Sequence, residues 1–249
     1  KQSFAQDTFQ LAPPVMHFQS VFFTDTATVS LLFAMKGSTI HYTTNGKEPT
    51  SKSPVYKHPI LIRQNFTTVK AKVFSDGFLP SARAEAVFIK EGLPIKNITT
   101  SPPHSKYSEE GFNTLHNNKG GIASFGTKTW LGFDTDTVTI NITLTKKQNV
   151  KKILVHLLQD YGGWIFFPHR IEVFVPDAMQ NNWHLIASKE ITSLQNKDEL
   201  VCKPFLLPLM KKAKTNNIQL LLYIVKQIPG WHPGKGQKSW IFIDEVKVY

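Results

Sequence analysis

The sequence predicts an all-β chain of two units, a small Ig/Fn3-like β-sandwich followed by a larger jelly roll. Short apolar runs rich in Val, Ile, Thr and Phe recur along the chain, separated by turn clusters such as KGS, NGKEPTSKSP and SDGFLPS. Very little of the sequence keeps a helical period over three turns, which excludes the alternating strands and helices of a parallel sheet. A Pro- and Ser-rich stretch, EGLPIKNITTSPPHS, separates a first set of runs from a second.

In the first unit the runs are TVSLLFAM at 28–35, STIHYTT at 38–44, TTVKAKVF at 67–74 and ARAEAVFI at 82–89. In Thr44-Asn45-Gly46-Lys47, the Asn-Gly pair supplies the two positive-φ positions of a tight hairpin turn. The second unit opens with TVTINITL at 137–144, where Val138, Ile140, Ile142 and Leu144 alternate with polar residues as in a half-buried strand. KKILVHLL at 151–158 and RIEVFV at 170–175 follow as further strands. IQLLLYIV at 218–225 is apolar on both faces and is expected at the centre of a sheet, and SWIFIDEVKVY closes the chain. The expected boundaries are a leader over 1–11, the sandwich over 12–90 and the jelly roll over 91–249.

Composition bounds the function. A chain of 249 residues with 41% hydrophobic and 19% charged residues can bury two modest cores. No apolar run approaches the ~20 residues of a membrane helix. The net charge of +11 gathers in KKQNVKK at 146–152 and KKAK at 211–214. Such lysines belong to solvated turns and edges, or else attract polyanions such as acidic glycans. Nothing resembles a zinc finger or an RNA-binding aromatic signature, so nucleic acid is not an expected partner. Cys202 is the single cysteine, which rules out an internal disulfide, and VCKPFLL places it as a small buried hydrophobe. At the N-terminus, Ser3-Phe4-Ala5 before Gln6 has the small-x-small form of a signal-peptidase site. The mature chain is therefore expected to start near Gln6, to be exported, to lack a large upstream domain and to be monomeric.

IHYTTNGKEPTSKSPVYKHPI at 40–60, followed by TTVKAKVF, resembles the small C-terminal β-sandwich of chitobiases and β-N-acetylhexosaminidases. Tyr42, Thr43, Gly46, Pro49, Thr50, Ser53, Pro54, Tyr56, Pro59, Ile60, Lys70 and Ala71 match its pattern, and Asn45 replaces its usual Asp. TWLGFD at 129–134, LLQDYGGWIFFP at 157–168 and GWHPGKGQKSWIFIDEV at 230–246 are similar to the discoidin-like jelly roll of carbohydrate-binding modules. The likeness is to the copy that ends many Bacteroidetes hexosaminidases.

That resemblance implies a glycan ligand, of amino-sugar, galactose or acidic type, held by loops at one end of the jelly roll. The loops would be Gln159–Gly163 and Gly230–Gln237, with Gln159, Asp160, Tyr161, Trp164, Trp231 and His232 as the binding residues. Trp231 is the foremost stacking face, because Pro233, Gly234 and Gly236 shape an exposed loop around it. Trp164 and Tyr161 add further faces, and Gln159 and Asp160 offer hydrogen bonds to hydroxyls. Phe166, Ile171, Val173, Val175 and Trp130 are expected to fill the core. Phe167 and Arg170 would cover the sheet surface, and His169 would make a structural hydrogen bond. The resemblance further implies a structural calcium held by a D-G loop and a glutamate on the last strand. Glu245 matches that glutamate, but Asn117 and Asn118 stand in place of Asp-Gly, which leaves Asn117 and Glu245 as the candidate ligands.

Catalysis is not expected. Hexosaminidase chemistry needs a (β/α)₈ barrel of about 250 residues, which two sandwiches leave no room for. Asp244 and Glu245 are neighbours on a strand and are expected to point to opposite faces, so they cannot flank one glycosidic bond. The alternatives are a hexosaminidase fragment without its barrel, or an adhesion module that binds protein.

Overall fold

A computed structural model describes residues 9–108, 110–177, 182–192 and 200–249. The Ser3-Phe4-Ala5 cleavage site lies outside the described residues. The chain divides into two compact units, Lys1–Glu91 and Gly92–Tyr249. Its regular structure is almost entirely β, as the sequence predicts.

The first unit is a sandwich of two sheets. One orders Val15–His17 (β1), Ala27–Leu32 (β3) and Ile60–Ile62 (β5); the other orders Phe22–Phe23 (β2), Ala84–Lys90 (β7), Phe66–Phe74 (β6) and Thr39–Thr43 (β4). Strict alternation in β3 and β6 turns Ala27, Val29 and Leu31 of one sheet toward Val69 and Ala71 of the other.

The expected Asn45-Gly46 hairpin does not form. Strand β4 pairs with β6, across more than twenty intervening residues, and not with the chain that follows it directly. Gly46 has a positive φ of 75°, but Asn45 does not, because its Oδ1 accepts the Lys47 N–H at 3.1 Å in a local side-chain turn. The chain then returns beside β4, where Tyr42 N–H donates to the Pro54 carbonyl and Tyr56 N–H to the Ile40 carbonyl. His41 Nδ1 lies 2.7 Å from the Ser53 carbonyl, and Thr50 N–H donates to Ser53 Oγ. The residues that carry the resemblance thus lace this loop to the sheet.

In the second unit two strands of 23 residues, Thr137–Gln159 (β10) and Val201–Tyr223 (β13), pair antiparallel along both halves. The separate runs expected at 137–144 and 151–158 are one strand. Register shifts between Thr143 and Gln148 and between Val150 and Lys152 interrupt the ladder, and such bulges bend and twist a strand. The KKQNVKK lysines fall at this irregularity and not in a turn. The first half of β10 lies between β13 and Ile95–Thr100 (β8), and the second half between β13 and Ile241–Val248 (β14). Leu131–Phe133 (β9) extends the sheet past β14, and Arg170–Pro176 (β11) and Trp183–Glu190 (β12) extend it past β13. IQLLLYIV is therefore central, as predicted.

Ile140, Ile142 and Leu144 from one half of β10 and Ile153, Val155 and Leu157 from the other share a single core with Leu220, Leu222, Ile241 and Val248. Ile171, Val173 and Val175 join this core, while Phe166 fills a second cluster beneath the loops. Phe167 was expected over the sheet surface, but it is buried and packs edge-on to Phe205 at 4.8 Å. Arg170 does cover the surface, with its guanidinium 4.4 Å from the Tyr223 ring. His169 is exposed beside the same tyrosine.

Candidate functional site

The outer face of β14 and the second half of β10 is roofed by residues 110–130 together with Tyr107. Trp130, Leu158, Ile165 and Phe242 form a further buried cluster there, flanked by Tyr107, Phe125, Cys202 and Trp240. Trp130 is core, as expected, and its Nε1–H donates to the Ile122 carbonyl at 3.2 Å.

The loop after β10 is a tight turn. Asp160 caps the 3₁₀ turn Tyr161–Gly163 by accepting the Gly163 N–H at 3.2 Å, so its carboxylate is committed in part to the fold. Trp164 follows in the left-handed conformation at φ 61°, uncommon for so bulky a residue. It is fixed there by its own N–H to the Tyr161 carbonyl and by the Trp240 N–H to its carbonyl. The indole is turned outward and 39% exposed. It lies against Gly234, where an added Cβ would sit 2.9 Å from Cε2, so that glycine makes room for the ring.

Trp231 is placed differently from expectation. It is half-buried, edge-on to Tyr161 at 5.0 Å and tilted against Phe166 at 6.3 Å, inside a small cluster with Ile228. Tyr161 is 3% exposed and presents no stacking surface. Gln159 is also buried, since it occupies the last position of β10. His232 is buried with both ring nitrogens engaged: Nδ1 accepts the Gly234 N–H at 3.0 Å, which leaves Nε2 to donate to the Tyr161 carbonyl at 2.8 Å. His232 therefore locks the two expected loops together. Of the six residues, Trp164 alone is exposed, and Asp160 and Trp231 are half-exposed beside it.

A cavity of about 320 Å³ opens nearby, lined by Lys106, Tyr107, Phe125, Thr127, Lys128 and Trp130 among others. Phe125 joins it to the Trp164 loop, for a Cβ on Gly163 would lie 3.2 Å from the Phe125 ring. Lys106 Nζ stands 5.3 Å over the Tyr107 ring. Sequence reading assigned no ligand role to this segment, because its residues come together only through the roof over β14.

Asp244 and Glu245 share the outer face, contrary to the alternation expected of a strand: His156 pairs with Glu245 and Leu157 with Ile243, a bulge that leaves Asp244 unpaired. Both are fully buried. Asp244 binds His156 Nδ1 at 2.6 Å and the Gly121 N–H at 2.8 Å. Burial opposes a charge on His156, but the Asp244 carboxylate outweighs it and raises the imidazole to about 10. Asp136 is held by Lys226 and Lys238, each at 3.0 Å, and these cations keep its carboxyl below the usual range.

The two expected calcium ligands are not brought together. Asn117 Oδ1 accepts the Lys119 N–H, and its Nδ2 donates to Glu110. Glu245 instead meets Asn118 and Lys247. Burial raises its carboxyl, against the pull of Lys247. Among the described residues no group of three His, Cys, Asp or Glu side chains is placed to hold a metal. The residues present do not fit calcium.

Residues 19–84 match the Chitobiase/beta-hexosaminidase C-terminal domain. This segment holds the laced loop and most strands of the first sandwich, so the resemblance seen in its sequence holds. No curated protein matches the chain. Among solved structures it is similar to the family 32 carbohydrate-binding module from Streptococcus pneumoniae EndoD, at 16% identity and a TM-score of 0.41, over 64% of this chain and 99% of that one. It is also similar to a Ruminococcus gnavus GH29 fucosidase, at 11% identity and a TM-score of 0.40, over 61% of this chain. The match spans 24% of the fucosidase chain. Among the described residues no helix is long and apolar enough to cross a membrane.

Proposed function

We propose that the chain is an exported, non-catalytic carbohydrate-binding protein or accessory region, whose glycan docks in the second unit between the Tyr107–Phe125 cavity and Trp164. The observation that carries this reading is an open cavity that combines aromatic rings, hydroxyls and ammonium groups, with an outward indole on the loop that Phe125 adjoins. Sugars present an apolar C–H face and a rim of hydroxyls, and a site selective for them needs a ring to stack on and a few placed polar groups. A cavity of about 320 Å³ lies at the lower end of the range for small-ligand sites. Lys106 and Lys128 favour an acidic sugar, and the net charge of +11 adds a long-range attraction. Asp244 and Glu245 lie out of a substrate's reach, which argues against hydrolysis by these units.

A glycan array on the whole chain, followed by titration of a hit, tests the reading. Carboxylate-bearing glycans are expected to bind, and more weakly as salt rises. The double substitution Lys106→Ala with Lys128→Ala is expected to weaken them by about tenfold or more. Retention of neutral glycans alone would return the ligand to the galactose or amino-sugar class, and retention of none would end the proposal. Aryl N-acetylglucosaminides and fucosides are expected to remain intact.

A further inference from the structure

The penultimate residue of β14 is a lysine whose ammonium is almost out of reach of water. Lys247 is 3% exposed, although lysine normally keeps its charge in solvent. Its Nζ donates to Glu245 Oε1 at 2.7 Å and to Asn118 Oδ1 at 2.5 Å. The second Glu245 oxygen accepts the Asn118 N–H at 3.2 Å. Asn118 adopts a positive φ of 59°, a conformation that asparagine tolerates better than most residues, and so offers both groups to the strand.

We propose that the Lys247 ammonium replaces a structural metal ion in this unit, tying the 117–121 loop to β14 as a tethered cation, so that the native protein neither requires calcium there nor admits it. A buried carboxylate needs a partner charge, and Lys247 already supplies one to Glu245. Calcium takes six to eight oxygens, roughly 2.3–2.6 Å away. Glu245 Oε1 and Asn118 Oδ1, two oxygens at this point, already accept from the ammonium. Asn117 Oδ1 is turned to the Lys119 N–H, and the Asp244 oxygens face His156 and Gly121. A divalent ion entering beside Lys247 would bring excess buried positive charge, and displacing Lys247 would strand its ammonium among buried groups. The tethered cation has the further property that no chelator can remove it.

Calorimetric melting of the whole chain with EGTA and with millimolar calcium chloride tests the proposal, together with calorimetric titration of calcium into the native protein. The melting of the second unit is expected to stay in place under all conditions, with no binding heat. Lys247→Met keeps much of the side-chain bulk but removes the charge, and is expected to lower that transition by roughly 10 °C. Adding Glu245→Gln to Lys247→Met removes the unpaired carboxylate and is expected to recover much of the loss. A calcium-dependent rise in melting temperature, a saturable calcium heat, or a Lys247→Met protein as stable as the native one would each overturn the proposal. If Lys247→Met does not fold, the calcium measurements on native protein still decide it.

Discussion

Asp244→Asn is expected to lower the stability of the second unit by roughly 3–5 kcal/mol, the usual cost of removing one partner from a buried charge pair. The substitution preserves shape but leaves the His156 ring, buried and stacked on Trp130, without its counter-charge. It also weakens the acceptor for the Gly121 N–H, which anchors the same loop that Lys247 holds. Gly120 makes this anchoring possible: it has a φ of 115°, and a Cβ there would lie 2.5 Å from Asp244 Oδ2. The signature that separates this effect from simple mispacking is its pH dependence. His156 titrates at about 10 in the folded protein against 6.5 for a free ring, so the fold binds an extra proton between these values. Its contribution is complete below pH 6.5 and is lost as pH rises through 10. Native stability should therefore decline from neutral to alkaline pH, and Asp244→Asn should flatten the part of the decline above pH 6.5. Denaturant unfolding at pH 6, 8 and 10 measures both slopes. An equal loss at all three values would mean that Asp244 acts by packing alone.

The two-sandwich architecture was legible because a half-buried strand writes its burial into the sequence as a period of two. Val138 to Leu144 and Ile171 to Val175 show that period and line one core. Register was not legible. A bulge adds one residue without changing composition, so nothing in IFIDEVKVY announces that Asp244 and Glu245 face the same way. The Asn45-Gly46 reading failed for a related reason: a turn signal names a local conformation, while strand pairing is decided by the distant β6. Nothing in the sequence marks Lys247, because its partners lie 129 and 2 residues away, on a loop and on its own strand. The cavity residues Tyr107 and Phe125 carried no motif, and only the roof over β14 brings them to the Trp164 loop.

The choice between the two candidate tryptophans rests on the same distinction between local signal and assembled surroundings. Proline and glycine around Trp231 correctly mark a shaped loop, but that loop turns the indole onto Tyr161 and Phe166. Trp164 carries no such signal and reads as the first residue of a strand, yet its left-handed backbone breaks the alternation and turns the ring outward over Gly234. Trp164→Ala is therefore expected to weaken binding of the glycan found on the array by at least about tenfold, some 1.4 kcal/mol, with little change in melting temperature. The preorganised ring loses little freedom on binding, so most of its contact energy reaches the affinity. Trp231→Ala is expected to behave in the opposite way. It removes the ring that packs on Tyr161, and should destabilise the second unit by roughly 2–4 kcal/mol, toward the lower end for a large core side chain because the indole is half-exposed. Binding by folded Trp231→Ala protein should fall less than for Trp164→Ala. Melting and titration of both variants give four numbers that separate the roles. Binding lost in Trp231→Ala at unchanged stability, with Trp164→Ala still binding, would move the stacking face to the 228–237 loop and away from the cavity.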